Sequence, residues 1–349
     1  MLNNSLGKIS GTGADIDVKL SGNLEMTSSQ IGSFAGGSIK LAAAGSLNVG
    51  SQEQFTSDDT PKGIYTASGG GVSVSATGDI NVNGSRIAAY DGGNVSVNSA
   101  QGNVNAGQGG LGFVVLKMVK VDPVTGTVGR DTVTIPGSGI LATALPGSPT
   151  HVGDIEVSAG KNILASSGGI IQLPFNGSDP TVGSIDLTAK ESIDASNSGV
   201  IGGNVSLKAQ KDIIGLVVAS KNINITSLQS VSVTALAQGG VNISAGGTVS
   251  GTVIGGSGVS VSGEAVSAAL VSQSVKTSGD ASSASIGVPT TAAASTTSKS
   301  VQEKDQFAAA AKPKEEDEDE LKKRRSALPL LAKSTGRVTV ILPNPVKAN

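Results

Sequence analysis

The sequence contains no cysteine and no tryptophan, and aromatic residues make up only 2% of its 349 residues. Without cysteine the chain has no disulfide framework and no thiolate metal site. A compact globular enzyme normally has a core of leucine and aromatic side chains, whereas a narrow solenoid is filled by thin layers of Val, Ile, Leu and Ala. The composition therefore favours a repetitive fold over two or three ordinary domains.

Charged residues are also scarce, at 15%, and the formal net charge is −2. This balance gives no electrostatic argument for binding nucleic acid or an anionic membrane. The apolar runs fall short of the roughly 20 residues that span a bilayer. The opening stretch, MLNNSLGKIS, lacks the basic and apolar regions of a signal peptide. We therefore expect neither a nucleic-acid partner nor a signal peptide in this chain.

What the sequence has in abundance is glycine, with 49 residues, and a short repeated pattern. An apolar residue at position n is followed by others at n+2 and n+8, with a turn-forming or small polar residue just before the third. Between Gly183 and Gly263 successive triplets begin 20, 18 and 18 residues apart, a spacing typical of solenoids. The triplets, with a one-residue slip in the fourth, are Ile16, Val18, Leu24; Ile39, Leu41, Leu47; Val72, Val74, Ile80; Val95, Val97, Val104; Ile155, Val157, Ile163; Ile185, Leu187, Ile193; Val205, Leu207, Ile213; Ile223, Ile225, Val231; and Val241, Ile243, Val249.

The period of two within each unit predicts β-strands, because alternate side chains of an extended chain face opposite sides. Val, Ile, Thr and Ser dominate, and glycine, Asn or Asp recurs about every eight residues, which excludes helices. One coil cannot bury its own apolar residues, but stacked coils with parallel pairing can. The sequence therefore predicts an all-β fold, a parallel β-helix, right-handed because parallel crossovers almost always are.

The pattern also divides the chain. The low-complexity linker over 264–300 is expected to be flexible, because it cannot bury enough surface to offset its ordering entropy. The largest insertion reads as strand, turn and strand, and predicts a hairpin from Phe113 to Ile135 that protrudes from the coils. The predicted parts are a β-helix over 1–263, insertions at 51–68, 111–152 and 173–182, a linker over 264–300, and a charged tail over 301–349 that ends in a strand signal, GRVTVILP.

Residues that carry catalytic or metal chemistry are few. His151 is the single histidine, and it lies in a loop without a nucleophile-elbow frame. The glycine clusters lack the lysine of a phosphate-binding loop. The turn aspartates Asp79, Asp154 and Asp212 occur once per coil, which is too sparse for a calcium cage. We expect no catalytic residues, no cofactor and no metal, and hence no enzymatic activity.

The predicted hairpin gathers charged side chains at one place. Because recognition usually occurs on loops that a rigid scaffold presents, we take it as the candidate ligand-binding element. The alternative is that the hairpin packs along the β-helix and covers an apolar side. The candidate ligand-binding residues are Lys117, Lys120, Asp122, Arg130 and Asp131.

Repeat units such as GGNVSLKAQKDI and GGGVSVSATGDINV, in tandem at about 20 residues from Asp15 to Gly263, resemble the filamentous haemagglutinin family of bacterial exoproteins. The resemblance implies a right-handed parallel β-helix that is secreted or held at the cell surface and acts in adhesion or aggregation. It implies two partners. One is a protein or glycan ligand on a host or neighbouring cell, and the other is an outer-membrane two-partner transporter, reached through an upstream domain that this sequence lacks. The chain resembles the carboxy-terminal part of such a protein.

Two other functions stay open. Some polysaccharide lyases and hydrolases are β-helices, and they need clustered carboxylates or basic residues on one outer face. The charged residues of the coils, such as Lys40, Lys190 and Lys208, look single and scattered instead. The chain is alternatively a fragment of a larger exoprotein without a function of its own.

Overall fold

The structure is a computed structural model, and every regular element in it is a β-strand. It describes residues 13–27, 29–50, 62–67, 69–109, 113–121, 125, 128–144, 151–173, 182–280 and 285–287. In this part of the chain, 26 strands join one parallel sheet that winds around a common core, and two form a separate antiparallel sheet. The described residues contain no helix that is long and apolar enough to cross a membrane.

The strands of the amino-terminal coils are β1 (Ile16–Leu20), β2 (Leu24–Glu25), β3 (Gln30–Phe34), β4 (Ile39–Ala43), β5 (Leu47–Asn48), β6 (Gly63–Ala67), β7 (Val72–Ala76), β8 (Ile80–Asn81), β9 (Arg86–Tyr90), β10 (Val95–Ser99), β11 (Val104–Asn105), β12 (Phe113–Val121), β13 (Val128–Pro136), β14 (Gly139–Thr143), β15 (Ile155–Ala159), β16 (Ile163–Leu164) and β17 (Ile170–Leu173). Those of the carboxy-terminal coils are β18 (Ser184–Ala189), β19 (Ile193–Gly202), β20 (Asn204–Ala209), β21 (Ile213–Ala219), β22 (Ile223–Ser227), β23 (Val231–Ala237), β24 (Gly240–Ala245), β25 (Thr248–Gly255), β26 (Gly258–Ser272), β27 (Val275–Asp280) and β28 (Ser285–Gly287).

Each coil supplies strand segments to three sides. Strands β1, β4, β7, β10, β15, β18, β20, β22, β24, the start of β26, and β27 pair in that order and form the first side. The second side starts with β2 and β5, and the third starts with β3, β6, β9, β14 and β17. From β19 to β25, single strands run through the second and third sides. The described residues thus form eleven coils of a parallel β-helix, which confirms the predicted fold.

The predicted inward residues form continuous ladders. Ile185 pairs in register with Ile155 of the coil before it and with Val205 of the coil after it. Ile225 is 1% exposed, and its neighbour Asn224 is exposed, so the strand alternates between core and solvent. Apart from the half-buried residues of the first described coil, all the predicted triplets are buried in one core. The period of two therefore identified the inward side correctly.

A polar ladder runs along the turn between the first and second sides. The Asp79 carboxylate accepts hydrogen bonds from the backbone and side-chain amides of Asn103, at 2.7 and 3.0 Å. Asn162 repeats this arrangement on Asn103, and the backbone amide of Ser192 donates to Asn162 at 3.0 Å. These side chains satisfy backbone amides at the coil corner, which explains the small polar residue before the third apolar position.

In the amino-terminal coils the corner between the third and first sides is so tight that it requires glycine. Gly93 has a φ of +90°, and a Cβ there would collide with the carbonyl oxygen of Gly70 in the coil below. Gly153, in the coil above, would in turn collide with the carbonyl oxygen of Gly93. Glycines at this corner allow these coils to stack at strand spacing, whereas Lys221 takes the equivalent position before β22.

The coils differ in length because insertions enter beside the third side. The step from Asn94 to its partner Asp154 in the next coil takes 60 residues, whereas the step from Asn224 to Asn242 takes 18. The long coil contains β12 and β13, which pair antiparallel from Phe113 opposite Pro136 to Val121 opposite Val128. The predicted hairpin is present.

The β-helix continues beyond the predicted boundary at Gly263. Strand β26 runs on to Ser272 and pairs with β25, and β27 and β28 add a further coil. Val266, Ala268 and Leu270 are buried inward residues of this extension. The boundary was placed too early because alanine and serine replace the larger apolar residues there, although the alternation persists. The tail from 288 onward, like residues 51–61 and 174–181 of the predicted insertions, lies outside the described residues.

Candidate functional site

The hairpin register divides the predicted ligand-binding residues between two faces. Lys117 lies opposite Thr132 and Arg130 lies opposite Val119, so Lys117 and Arg130 share one face of the two-stranded sheet. Lys120 and Asp131 occupy register positions on the other face. Asp122 lies outside the described residues. The four described residues thus lie along the strands, two on each face.

The outer surface of the first side is polar and uncharged where β22, β24 and the start of β26 pair. The side-chain amide of Asn242 donates to Asn224 Oδ1 at 3.1 Å, which continues the side-chain ladder between coils. A shallow groove of about 200 Å³ runs over three coils at this place. Its polar lining residues are Asn224, Thr226, Asn242, Ser244, Ser260 and Ser262.

Three carboxylates meet on the first side where the long coils end. Glu156 and Asp186 are exposed register partners in adjacent coils, so their main chains lie about 4.8 Å apart. The Ser184 hydroxyl lies 3.2 Å from Asp154 Oδ1 and 3.1 Å from Asp186 Oδ2, and it donates to one of them at a time. The sequence did not reveal this cluster because Asp186 is 30 residues from Glu156 along the chain.

An apolar groove of about 390 Å³ lies on the outer surface of the third side in the carboxy-terminal coils. Leu173, Ile201, Val218, Leu236 and Ile254 contribute one aliphatic side chain each from successive coils. Ile254 is 37% exposed. The groove offers contact area but no charged group for orienting a ligand.

The same surface in the amino-terminal coils carries an aromatic and cationic cluster. Tyr65 and Tyr90 lie with ring centroids 6.2 Å apart at an angle of 56°, and both rings are buried. Arg86, on the same strand as Tyr90, is only 2% exposed. Gly32 makes room for the Tyr65 ring, because a Cβ at Gly32 would lie 3.1 Å from its Cζ. Tyr65 donates a hydrogen bond to Gln30 Oε1 at 2.9 Å.

Both tyrosines resist ionisation. Burial raises the pKa of Tyr65 to about 12, although the positive charge of Arg86 acts in the opposite direction. Burial also raises the pKa of Tyr90, again against the charge of Arg86. Both phenols are therefore neutral at pH 7, and neither neutralises the guanidinium. The repeat rule missed this cluster because it describes only the first and second sides.

His151 and Asp212, which were considered above for catalysis and metal binding, lie at connections between strands. His151 is exposed, next to Val152, which bridges to Val182 of the following coil. Asp212 Oδ1 accepts a hydrogen bond from the backbone amide of Ser230 at 3.0 Å, as part of a turn ladder. The described residues contain no group of three or more His, Cys, Asp or Glu side chains placed to hold a metal ion.

Comparison with protein-family models, with curated proteins and with solved structures found no match to this chain.

Proposed function

We propose that the chain is a non-catalytic β-helical segment of a bacterial secreted or surface adhesin that mediates cell adhesion or aggregation. The supporting observation is that the repeats that resemble filamentous haemagglutinins stack as one parallel β-helix, the fold that the resemblance implies. Stacked coils with a repeated outer surface form a scaffold rather than a cleft. The proposed partners are a protein or glycan ligand on a host or neighbouring cell and an outer-membrane two-partner transporter.

The hairpin is the proposed contact element, since it is the described part of the chain that departs from the coil pattern. Its register separates two candidate contact faces. The face with Lys117 and Arg130 is cationic, and it suits carboxylates or sulfates, with which arginine forms paired hydrogen bonds. The face with Lys120 and Asp131 carries both signs of charge and suits a polar protein surface.

The test compares two double variants on coated beads, with adherence to cells and to sulfated glycans as the readout. Lys117→Ala with Arg130→Ala should reduce adherence to sulfated glycans about a hundredfold or more, because each of the two lost charge-assisted hydrogen bonds is worth about 1.5–3 kcal/mol. Lys120→Ala with Asp131→Ala should leave that adherence unchanged.

A third double variant, Lys208→Ala with Lys276→Ala, removes the same charge from exposed positions on the coils and serves as the control. Circular dichroism checks that every variant keeps its β-structure. Equal adherence by all folded variants would remove the hairpin as the contact element.

A β-helix carbohydrate-active enzyme is the second candidate, and the carboxylates of the first side favour it. Retaining glycosidases place two carboxyl groups about 5–5.5 Å apart, and Glu156 and Asp186 extend from main chains about one strand spacing apart. If this function holds, the chain releases reducing ends from an acidic or neutral polysaccharide, and Glu156→Gln abolishes the release. Ser158→Ala, on the same strand, is the matched control. No release by the unaltered chain across a polysaccharide panel would reject this candidate.

A further inference from the structure

Buried polar atoms without a hydrogen-bond partner are concentrated at one place in the β-helix. Among the described side chains six such atoms occur, and five of them belong to Ser85, Arg86, Tyr90 and Thr143. The sixth is the Ser272 hydroxyl. Buried polar groups in native proteins are nearly always paired, so a cluster of unpaired groups indicates a ligand or ion at the site.

Arg86 is the centre of this cluster. Its Nε and Nη1 lack partners, and no carboxylate within the described ranges pairs with it. Arg86 begins β9, and in register it lies beside Gly139 of the next coil. Gly63 lies beside it on the coil below, so neither neighbour supplies a side chain. The guanidinium is therefore a buried cation without a counter-ion from the described protein.

Two buried hydroxyl groups lie further along the same pair of strands. Tyr90 lies on the same face of β9 as Arg86, and Thr143 is the register partner of Tyr90 in the next coil. Both hydroxyls are buried and lack a partner at full hydrogen-bond geometry. The Tyr90 hydroxyl is nevertheless close enough to the Arg86 guanidinium for the two groups to interact. The surrounding side chains, Ala88 and Leu141, are apolar and also fully buried. The site thus offers one positive charge and the neutral Tyr90 donor in a buried, apolar surrounding.

We propose that Arg86, with Tyr90, binds a small monovalent anion such as chloride inside the outer layer of the third side. One charge on the anion neutralises the one guanidinium, whereas a phosphate or sulfate dianion would leave a net negative charge buried. Neither tyrosine can act as the counter-ion, because burial raises the pKa of both phenols. The anion is a structural component of the fold.

The first test measures melting temperature at constant ionic strength while chloride or bromide replaces sulfate. A ligand that binds only the folded state raises the melting temperature with the logarithm of its concentration, here by about 2–4 °C for each tenfold increase above Kd. Arg86→Met should abolish this dependence. Lys208→Met, which removes an equal charge from an exposed position, should keep it.

Tyr90→Phe covers the case in which Arg86→Met does not fold. It removes one donor and leaves the ring in place, and it should reduce the halide dependence without abolishing it. The proposal would be overturned if Tyr90→Phe, Lys208→Met and the unaltered chain all showed the same halide dependence. It would also be overturned if none of the three showed any dependence.

The second test locates the ion. Crystals grown in bromide should show an anomalous peak within hydrogen-bond distance of Arg86 Nε or Nη1. The absence of a bromide peak beside Arg86, with a protein carboxylate there instead, would also overturn the proposal.

Discussion

The five amino-terminal coils and the six carboxy-terminal coils share one core and differ in their outer layer. Inward positions are the same in both regions, as the pair of Val74 and Val97 and the pair of Ile225 and Ile243 show. On the outer surface of the third side, Leu141 is fully buried in the first region, whereas Leu236 is partly exposed in the second. Coils before β18 repeat at 23–60 residues, and later coils repeat at 16–20 residues.

This difference separates two roles of sequence in a solenoid. The inward triplets determine how coils stack, and they tolerate a coil of 60 residues beside one of 30. The outward residues of the third side are buried in the amino-terminal coils, both in coils that carry insertions and in the 23-residue coil of β9 that lies between them. The amino-terminal coils thus have a second, outer core, and the carboxy-terminal coils leave the same surface available for contacts.

The largest expected effect tests the shared core. Ile225→Asp places a carboxylate without a partner in the apolar layer and should reduce the free energy of unfolding by about 4 kcal/mol or more. Asn224→Asp, at the adjacent exposed position, should change it by less than about 0.5 kcal/mol. Chemical denaturation measures both values. Similar losses in the two variants would show that the inward side is assigned wrongly.

The second prediction tests the difference in the outer layer. Leu141→Ala should destabilise the chain by about 2–5 kcal/mol, because it opens a cavity in a packed site. Leu236→Ala should cost about 1 kcal/mol or less, because its side chain already contacts water. Thermal unfolding of the two variants compares them under one condition. If Leu236→Ala were as costly as Leu141→Ala, the carboxy-terminal coils would also have a covered outer layer.

The third prediction uses the tyrosines of the outer core, which are the only two in the chain. Tyr65 has a folded pKa of about 12, raised above the unfolded value of about 10. Its stabilising contribution is fully present below pH 10 and is lost as pH rises through 12. We expect the free energy of unfolding to fall above pH 10, and Tyr65→Phe to reduce this fall.

Phenolate absorbance follows the same titration without interference from tryptophan, which the chain lacks. The folded protein should titrate well above the urea-unfolded protein. Identical titration of the two states would contradict the buried outer core.

The smallest expected effect concerns a surface pair in the carboxy-terminal region. Lys211 Nζ lies 3.3 Å from Glu191 Oε2, and both side chains are substantially exposed. Glu191→Ala should change the free energy of unfolding by about 0–1 kcal/mol, and less at high salt. Urea denaturation at two salt concentrations measures the change. A loss of several kcal/mol would indicate that surface charges, and not the inward layers, hold these coils together.

The sequence was sufficient for the first and second sides and insufficient for the third. The alternation in VSVSA of β7 and INITS of β22 is strict, because one face of each strand is buried and the other faces solvent. Strands β6, β9 and β14 are buried on both faces, so their sequences, such as RIAAY, have no period of two. The hairpin was predictable from its local turn signal. The surroundings of Arg86 and the pairing of Glu156 with Asp186 were not predictable from the sequence, because they depend on the register between coils.

The central claim is that every coil, whatever its length, advances the β-helix by one strand spacing. Distances between spin labels at Asp17, Asp186 and Lys276 test this claim. These three residues are exposed and occupy equivalent positions on the first side. Asp186 lies five coils from Asp17 and five coils from Lys276. Both distances from Asp186 should be about 24 Å, although the amino-terminal pair is nearly twice as far apart along the chain. A distance from Asp17 to Asp186 that is much longer than that from Asp186 to Lys276 would contradict the account.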